Sequence, residues 1–359
     1  MKRLAITLIL STLSLAACAP KAPVLGLFSQ QADIGPVPAA GSASYDDKTG
    51  TYRVTGGGKD IWAKADDFHF VSKQATGDLA IAATLNWVTD SGDPHRKAGL
   101  MMRQSLDADS PYVDIVVHGN HHIALQYRDT KGGDTHEIEA ILHGPGRFAL
   151  EREGDYVFMS VAGPDGVLHH AGGGYRIHFN GPYYVGLAVC AHDDKITKMV
   201  DFSDVTLSMP PKADPNKLES TIETIDATST YRAVVYHAPG VLTDPTWSAD
   251  GKTISFVDGG KPFSVAIPPE GGPATTPSPA SGAANTPGGA SFPSPDGKWI
   301  ASVSAVDAAT GERTISVAPV AGGASVVLTH LLGGAGSVSA HPWSPDSKRL
   351  VFVSYRPVP

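Results

Sequence analysis

The chain has 359 residues, 42% of them apolar and 18% charged, with mean hydropathy near zero. That balance excludes both a chain disordered throughout and a polytopic membrane protein, and the length suggests two domains. Gly (39) and Pro (28) approach a fifth of the residues, which favours strands and turns over long helices, and a formal net charge of −8 gives no case for nucleic acid or anionic lipid as a partner.

Lys2 and Arg3 precede an apolar run from Leu4 to Leu15. The run is too short for a bilayer span, which needs about 20 residues. It ends in Leu15-Ala16-Ala17-Cys18, and the combination resembles the lipobox of bacterial lipoproteins. The resemblance implies a signal peptide over 1–17 and acylation of Cys18. With Ala19 next, it also implies an anchor in the outer membrane, facing the periplasm. An ordinary secretory signal is the alternative. Residues 18–40, rich in Pro, Ala and Gln, read as a tether. Once Cys18 is acylated, Cys190 is the remaining thiol and no internal disulfide is expected. Cys190 sits in the apolar run from Tyr183, which marks it as buried and inert.

Residues 41–210 show period-two alternation. Leu79, Ile81, Ala83, Leu85 and Trp87 form one row, Ile123, Leu125 and Tyr127 another, Val157, Met159 and Val161 a third. Such rows put one side of each strand on a core. Turn signals separate the runs: Gly56-Gly57-Gly58, Ser91-Gly92-Asp93-Pro94, Gly132-Gly133-Asp134 and Gly163-Pro164-Asp165-Gly166. An antiparallel β-sandwich is expected. Trp62, Asp66-Asp67-Phe68-His69-Phe70, Gly77-Asp78-Leu79, Lys97 to Arg103, Tyr112-Val113-Asp114 and Tyr183 to Leu187 resemble the concanavalin A-like, or laminin-G-like, domains of bacterial secreted proteins. That superfamily includes glycan binders, glycosidases and spacers, so the likeness implies a fold more than a ligand.

On the polar rows, Arg103, Asp114, Gln126 and Arg128 share one face, with Trp62 or Trp87 near. A sugar site needs such a mixture of flat aromatic surface and planar hydrogen-bonding groups. The competing reading is a cross-strand Arg103–Asp114 ion pair on a solvated sheet. Glu137 and Glu139 stand on one side of a strand, about 7 Å apart, within the roughly 5–9 Å that glycosidic hydrolysis uses. The E-x-D-x-x-E pattern of retaining jelly-roll glycosidases is absent, and a solvated edge strand is expected instead. His118, His121 and His122, like His169-His170, read as turn histidines, with no metal implied by their spacing. His192-Asp193-Asp194 offers oxygens for calcium, which Lys195 beside them opposes.

Residues 217–359 carry a repeat: Trp247-Ser248-Ala249-Asp250-Gly251-Lys252, then Phe292-Pro293-Ser294-Pro295-Asp296-Gly297-Lys298, then Trp343-Ser344-Pro345-Asp346-Ser347-Lys348. The Asp residues are 46 and 50 positions apart, the period of a four-stranded blade. In each, Asp bonds the turn backbone and Gly takes the left-handed conformation, so Ser347 in the third glycine slot should be mildly strained. Asp250, Gly251, Asp296, Gly297 and Asp346 are thus structural. The copies resemble the repeats of TolB-type β-propellers, relatives of WD-repeat proteins. About three blades fit, the third ending after its first strand, which implies open edges and either a truncated propeller or an edge completed by another copy or a partner. Pro268 to Gly289 reads as a loop.

The expectation is an all-β chain: a concanavalin A-like jelly-roll sandwich, then an incomplete TolB-like β-propeller. Its expected role is a non-catalytic cell-envelope lipoprotein, lipid-anchored and binding glycan, peptidoglycan or an envelope protein. No cofactor or metal is expected. The alternatives are an enzyme acting on polysaccharide through the sandwich, and a truncated remnant without a specific ligand.

Overall fold

The computed structural model describes residues 24–144, 146–163, 166–172, 174–229, 231–268, 275–280, 291–332 and 337–359. The signal peptide, Cys18 and the start of the tether lie outside the described residues, as does most of the 268–289 loop. Every regular element among the described residues is a strand.

Two large sheets face each other across the main core. One runs Gln30–Ile34, Phe68–Ala75, Tyr183–Cys190, Lys97–Arg103, Tyr112–His118, His122–Arg128, His136–His143 in spatial order. The other runs Leu168–His170, Tyr156–Ala162, Gly146–Glu153, Leu79–Trp87, Asp193–Ser208, Thr51–Gly58, Ser42–Asp46. The alternating rows behave as their period demands: Ile81, Leu85, Leu125, Tyr127, Val157 and Met159 all enter this core. Cys190 is fully buried on the opposite face of its sheet, and burial pushes its thiol up to about 12.

Two boundaries differ from expectation. Within the predicted tether, Gln30–Ile34 pairs antiparallel with Phe68–Ala75, and Leu25 and Phe28 are buried in the main core. Apolar side chains at the start of the segment seat it on the sandwich, although the strand itself reads Gln-Gln-Ala-Asp-Ile. Gly56-Gly57-Gly58, taken for a turn, instead ends the strand Thr51–Gly58. A Cβ at Gly56 would stand 2.1 Å from the Val189 carbonyl oxygen, so close backbone approach explains the glycine there.

The C-terminal region is three small sheets stacked face to face. The central one pairs Arg232–Pro239, Asp214–Asp226 and Arg349–Val358. On one side Ile225, Leu350 and Phe352 pack with Phe292, Ala301 and Ile315; on the other Ile222, Val351 and Val353 pack with Trp247, Ile254 and Phe256. The last strand, expected to belong to an incomplete blade with open edges, is paired on one side along its length, from Asp226↔Arg349 to Leu218↔Pro357, and forms the end of its sheet. Residues ahead of the first repeat supply its sheet.

The repeat chemistry is visible bond for bond. Ser248, Ser294 and Ser344 each donate a hydroxyl to the Asp two residues on, at 2.6 Å in all three copies. The indole of Trp247 donates to the Pro342 carbonyl at 3.1 Å and that of Trp343 to the Phe292 carbonyl at 2.9 Å, tying the copies together. Gly251 and Gly297 both hold φ 70°, and Ser347 holds φ 63°. Its hydroxyl accepts the Asp296 amide at 3.0 Å, a bond no glycine could make.

The two halves are not beads on a string. His136–His143 pairs parallel with Arg232–Pro239, through Ile138↔Arg232 and Glu139↔Ala233, so the first sandwich sheet and the central C-terminal sheet form one ten-stranded sheet. Arg356 from the last strand reaches Glu151 at 2.6 Å and lies 3.9 Å over the Phe158 ring, both on the second sandwich sheet.

The repeat turns give a stability test. Gly297→Ala forces an L side chain into the left-handed region with open space around it, and should cost about 1 kcal/mol in urea unfolding. Ser347→Gly should give no comparable gain, because relief of strain is offset by the lost bond to Asp296. A clear gain would show that this bond contributes nothing.

Candidate functional site

Four adjacent strands, Lys97–Arg103, Tyr112–His118, His122–Arg128 and His136–His143, turn alternate residues away from the core. In register, Met101, Asp114, Gln126 and Glu137 make one row across this outer face; Arg103, Tyr112 and Arg128 make another. A two-strand flap, Ile61–Trp62 paired with Ala65–Asp66, folds back over the face. Ile61, Phe68, Phe70, Met101 and Tyr112 close a second apolar cluster beneath it.

The flap is fastened by charge. Arg128 grips both oxygens of Asp66, at 2.7 and 2.9 Å, and donates to the Trp62 and Ala63 carbonyls at 3.2 and 3.1 Å. Arg103 adds a third contact to Asp66 at 3.4 Å and binds the Ser105 and Asp107 carbonyls. All three side chains have no exposed surface. Burial pushes the Asp66 carboxyl up, with Arg128 and Arg103 pulling against it.

Arg103, Asp114, Gln126 and Arg128 do share one face, as their parity implied, yet all four are buried, and Gln126 alone of them lines a pocket. Arg103 and Arg128 hold a carboxylate of the chain rather than a sugar hydroxyl. Nor does Arg103 pair with Asp114, the competing reading. Asp114 is fully buried, and burial pushes its carboxyl well above the usual range, with Lys97 pulling against it. The reason lies outside these strands: the flap residues 61–66 cover them, and no local spacing announces that.

Beside the flap the face opens into a pocket of about 360 Å³. Trp62, 36% exposed, forms one wall, with Asp60 next to it. Lys97, His118, Gln126 and Glu137 rise from the sheet, and His95 and His192 come from neighbouring loops. Lys97 places its ammonium 5.0 Å over the Trp62 ring and donates to Asp60 and to the Ile61 carbonyl, each at 2.8 Å. One N–H of the three remains for a ligand. Trp87, the alternative aromatic, is buried in the main core. Of the predicted binding residues, the pocket is lined by Trp62 and Gln126.

Glu137 and Glu139 are not on a solvated edge. The parallel partner Arg232–Pro239 covers that edge, and the two carboxylates clasp His122, each 3.4 Å from a ring nitrogen. Gln126 donates to Glu137 at 2.9 Å. Burial alone would lower His122, but the two carboxylates outweigh it and raise the imidazole to about 9. Burial would raise Glu137, but the His122 and Gln126 contacts hold it down to about 2. A carboxylate so held is a hydrogen-bond acceptor at neutral pH and a poor proton donor. His118 is neutral: burial first, then Lys97 and His122, lower it to about 3. Among the described residues no three His, Cys, Asp or Glu side chains converge as a metal site. His170 is buried against Arg356 and Ser160, and Asp193 accepts the Lys195 amide at 2.8 Å.

Asp60 and His95 escaped the sequence reading, which named Lys97 only for the fold resemblance and His192 only beside a calcium site. One signal was present: Lys97 and Arg103 bracket a strand otherwise apolar on both faces, which requires something to cover the outer one.

No protein-family model matches the sequence, and no curated protein matches it. Among solved structures, the carbohydrate binding module CBM66 from Bacillus subtilis is 16% identical at a TM-score of 0.34, over 52% of this chain and 99% of that one. The basic winged bean lectin, solved with Tn-antigen, is 8% identical at a TM-score of 0.29, over 51% of this chain and 99% of that one. A putative TolB from Agrobacterium tumefaciens is 15% identical at a TM-score of 0.18, over 74% of this chain and all of that one. These are distant likenesses among all-β proteins, and the ligand has to be argued from the pocket.

Two outcomes test the site. Arg128→Met leaves Asp66 buried without its main partner and should cost about 3–5 kcal/mol of stability, with the Trp62 flap opening to protease. His122 binds its proton more tightly folded than unfolded, so its contribution is whole below pH 6.5 and is lost as pH rises toward about 9. Glu137 contributes fully above pH 4.5 and loses that as pH falls toward about 2. Urea unfolding should therefore show stability falling between pH 6.5 and 9, and His122→Gln should flatten that fall.

Proposed function

We propose that the chain is a non-catalytic carbohydrate-binding protein whose ligand lies against Trp62 in the pocket beside the flap. The observation that carries this is the pairing of one exposed indole with fixed polar groups on a rigid sheet. A sugar ring presents C–H faces to an aromatic surface and hydroxyls to planar donors and acceptors. Trp62 supplies the first, and Lys97, Asp60, Gln126 and the Glu137 carboxylate supply the second. The pocket size falls in the range of small-ligand sites, which run from about 300 to 1,000 Å³.

Glu137 and Glu139 support binding over hydrolysis, because both are engaged in holding His122. The C-terminal sheets serve as a frame for the site: they cover the edge on which those carboxylates stand. Further proposals are lipid attachment at Cys18 and residence in the cell envelope, resting on the Leu15-Ala16-Ala17-Cys18 resemblance. There the ligand would be an envelope or environmental glycan.

A glycan array probed with the full chain should give saccharide hits. Trp62→Ala, at a partly exposed position, should keep the fold and weaken those hits at least about tenfold, or about 1.4 kcal/mol. Hits that survive Trp62→Ala unchanged would remove this pocket as the binding site.

A further inference from the structure

A second cavity, of about 300 Å³, lies where the sandwich meets the sheet that contains Glu312–Pro319 and Val326–Leu332. Asp129, His136, Tyr175 and Arg176 line it from the sandwich, and Val327 and His330 from the other side. Tyr175 stacks on Tyr127 with ring centroids 3.4 Å apart, and Tyr127 stacks on His136 at 5.4 Å. Tyr127 thus backs both Tyr175 and His136 where they line the cavity.

The polar groups are already oriented. The Tyr175 hydroxyl donates to Asp129 at 3.2 Å. Across the junction Arg176 lies 3.5 Å from Glu312, and His330 lies 3.6 Å from the other oxygen of the same carboxylate. Arg176 is thus balanced by acidic partners, and both carboxylates already have donors. A strongly anionic or cationic ligand gains little here. A neutral ring with hydroxyls gains both the stacking surface and planar hydrogen-bond partners.

We propose that this junction cavity is a second ligand site, taking a neutral saccharide ring that stacks on Tyr175 and hydrogen-bonds to Asp129, Arg176 and His330. Domain junctions are common places for such sites. This one uses residues from both halves, whereas the Trp62 pocket uses the sandwich alone. The two sites lie on opposite faces of the same strands, since Gln126 and Glu137 line one and their neighbours Tyr127 and His136 border the other. The second proposal therefore stands or falls independently of the first.

Calorimetric titration of the full chain with cellobiose, maltose, lactose and chitobiose tests it. Arg176 and Val327 are about half exposed, so Arg176→Ala and the cavity-filling Val327→Trp should both fold. In a Trp62→Ala background at least one disaccharide should still bind. Adding Arg176→Ala should weaken that binding at least tenfold, and adding Val327→Trp should abolish it. If Trp62→Ala alone removes all binding, the junction site is wrong and the first pocket stands. Binding that survives Trp62→Ala but not the added Arg176→Ala establishes the junction site, and the first pocket is decided separately by whether Trp62→Ala alone lowers the number of sugars bound per chain. Residual binding indifferent to both junction variants overturns the proposal, as does a wild-type chain that binds none of the four.

Discussion

A single carboxylate, Asp66, buried between Arg128 and Arg103, decides what the outer face of the sandwich presents. Without it the flap 61–66 would lose its main anchor, because its apolar contribution is little more than Ile61 and the bonds left include those of Lys97 to the Ile61 carbonyl and of the Arg128 neighbour Thr135 to the Ala63 carbonyl. With it, two guanidinium groups that would be costly to bury unpaired are satisfied by one carboxylate and a fan of main-chain carbonyls. Burying this network gives little net stability by itself. What it provides is position: Arg128 donates to the carbonyl of Trp62, so the residue that anchors the flap also holds the backbone that carries the exposed indole.

Edge strands impose the second constraint. The repeat region taken alone would present the flank of Arg232–Pro239, and the sandwich alone that of His136–His143. Each is a row of unpaired backbone groups that invites aggregation. Joining them in parallel removes both liabilities and creates the enclosed setting in which Glu137 and Glu139 hold His122. The last strand does the same for Asp214–Asp226, which it pairs from end to end.

What could be read in the sequence was whatever is local. Period-two rows such as Ile81-Leu85 or Val157-Met159 name their own face, since one parity must meet the core. The Ser-Pro-Asp-Gly turns were legible because the bonds are made within five residues, down to the positive φ of Ser347. What could not be read was set by contacts distant in sequence. Arg128 finds Asp66 across 62 positions, and Glu139 acquires its covering strand from Ala233. Lys97 becomes a pocket residue only because Asp60 and Trp62 fold over it. Trp62 and Gln126 line the pocket, whereas Arg103 and Arg128, on the same face, are committed to Asp66.

The same logic links the two halves at the level of charge. Tyr231, beside the first central strand, donates its hydroxyl to Glu139; Glu139 and Glu137 hold His122; Gln126 bonds Glu137 and lines the pocket. Each member fixes the protonation or orientation of the next, and the chain runs from the repeat region to the proposed ligand surface without a gap. A polar network of this kind holds its members in place through their mutual bonds, and the Gln126 amide oxygen is the atom it leaves without a partner. The C-terminal sheets therefore do more than cap an edge. They supply a hydroxyl to Glu139 on the far side of His122, while the His122 and Gln126 contacts keep Glu137 an acceptor in the pocket at neutral pH.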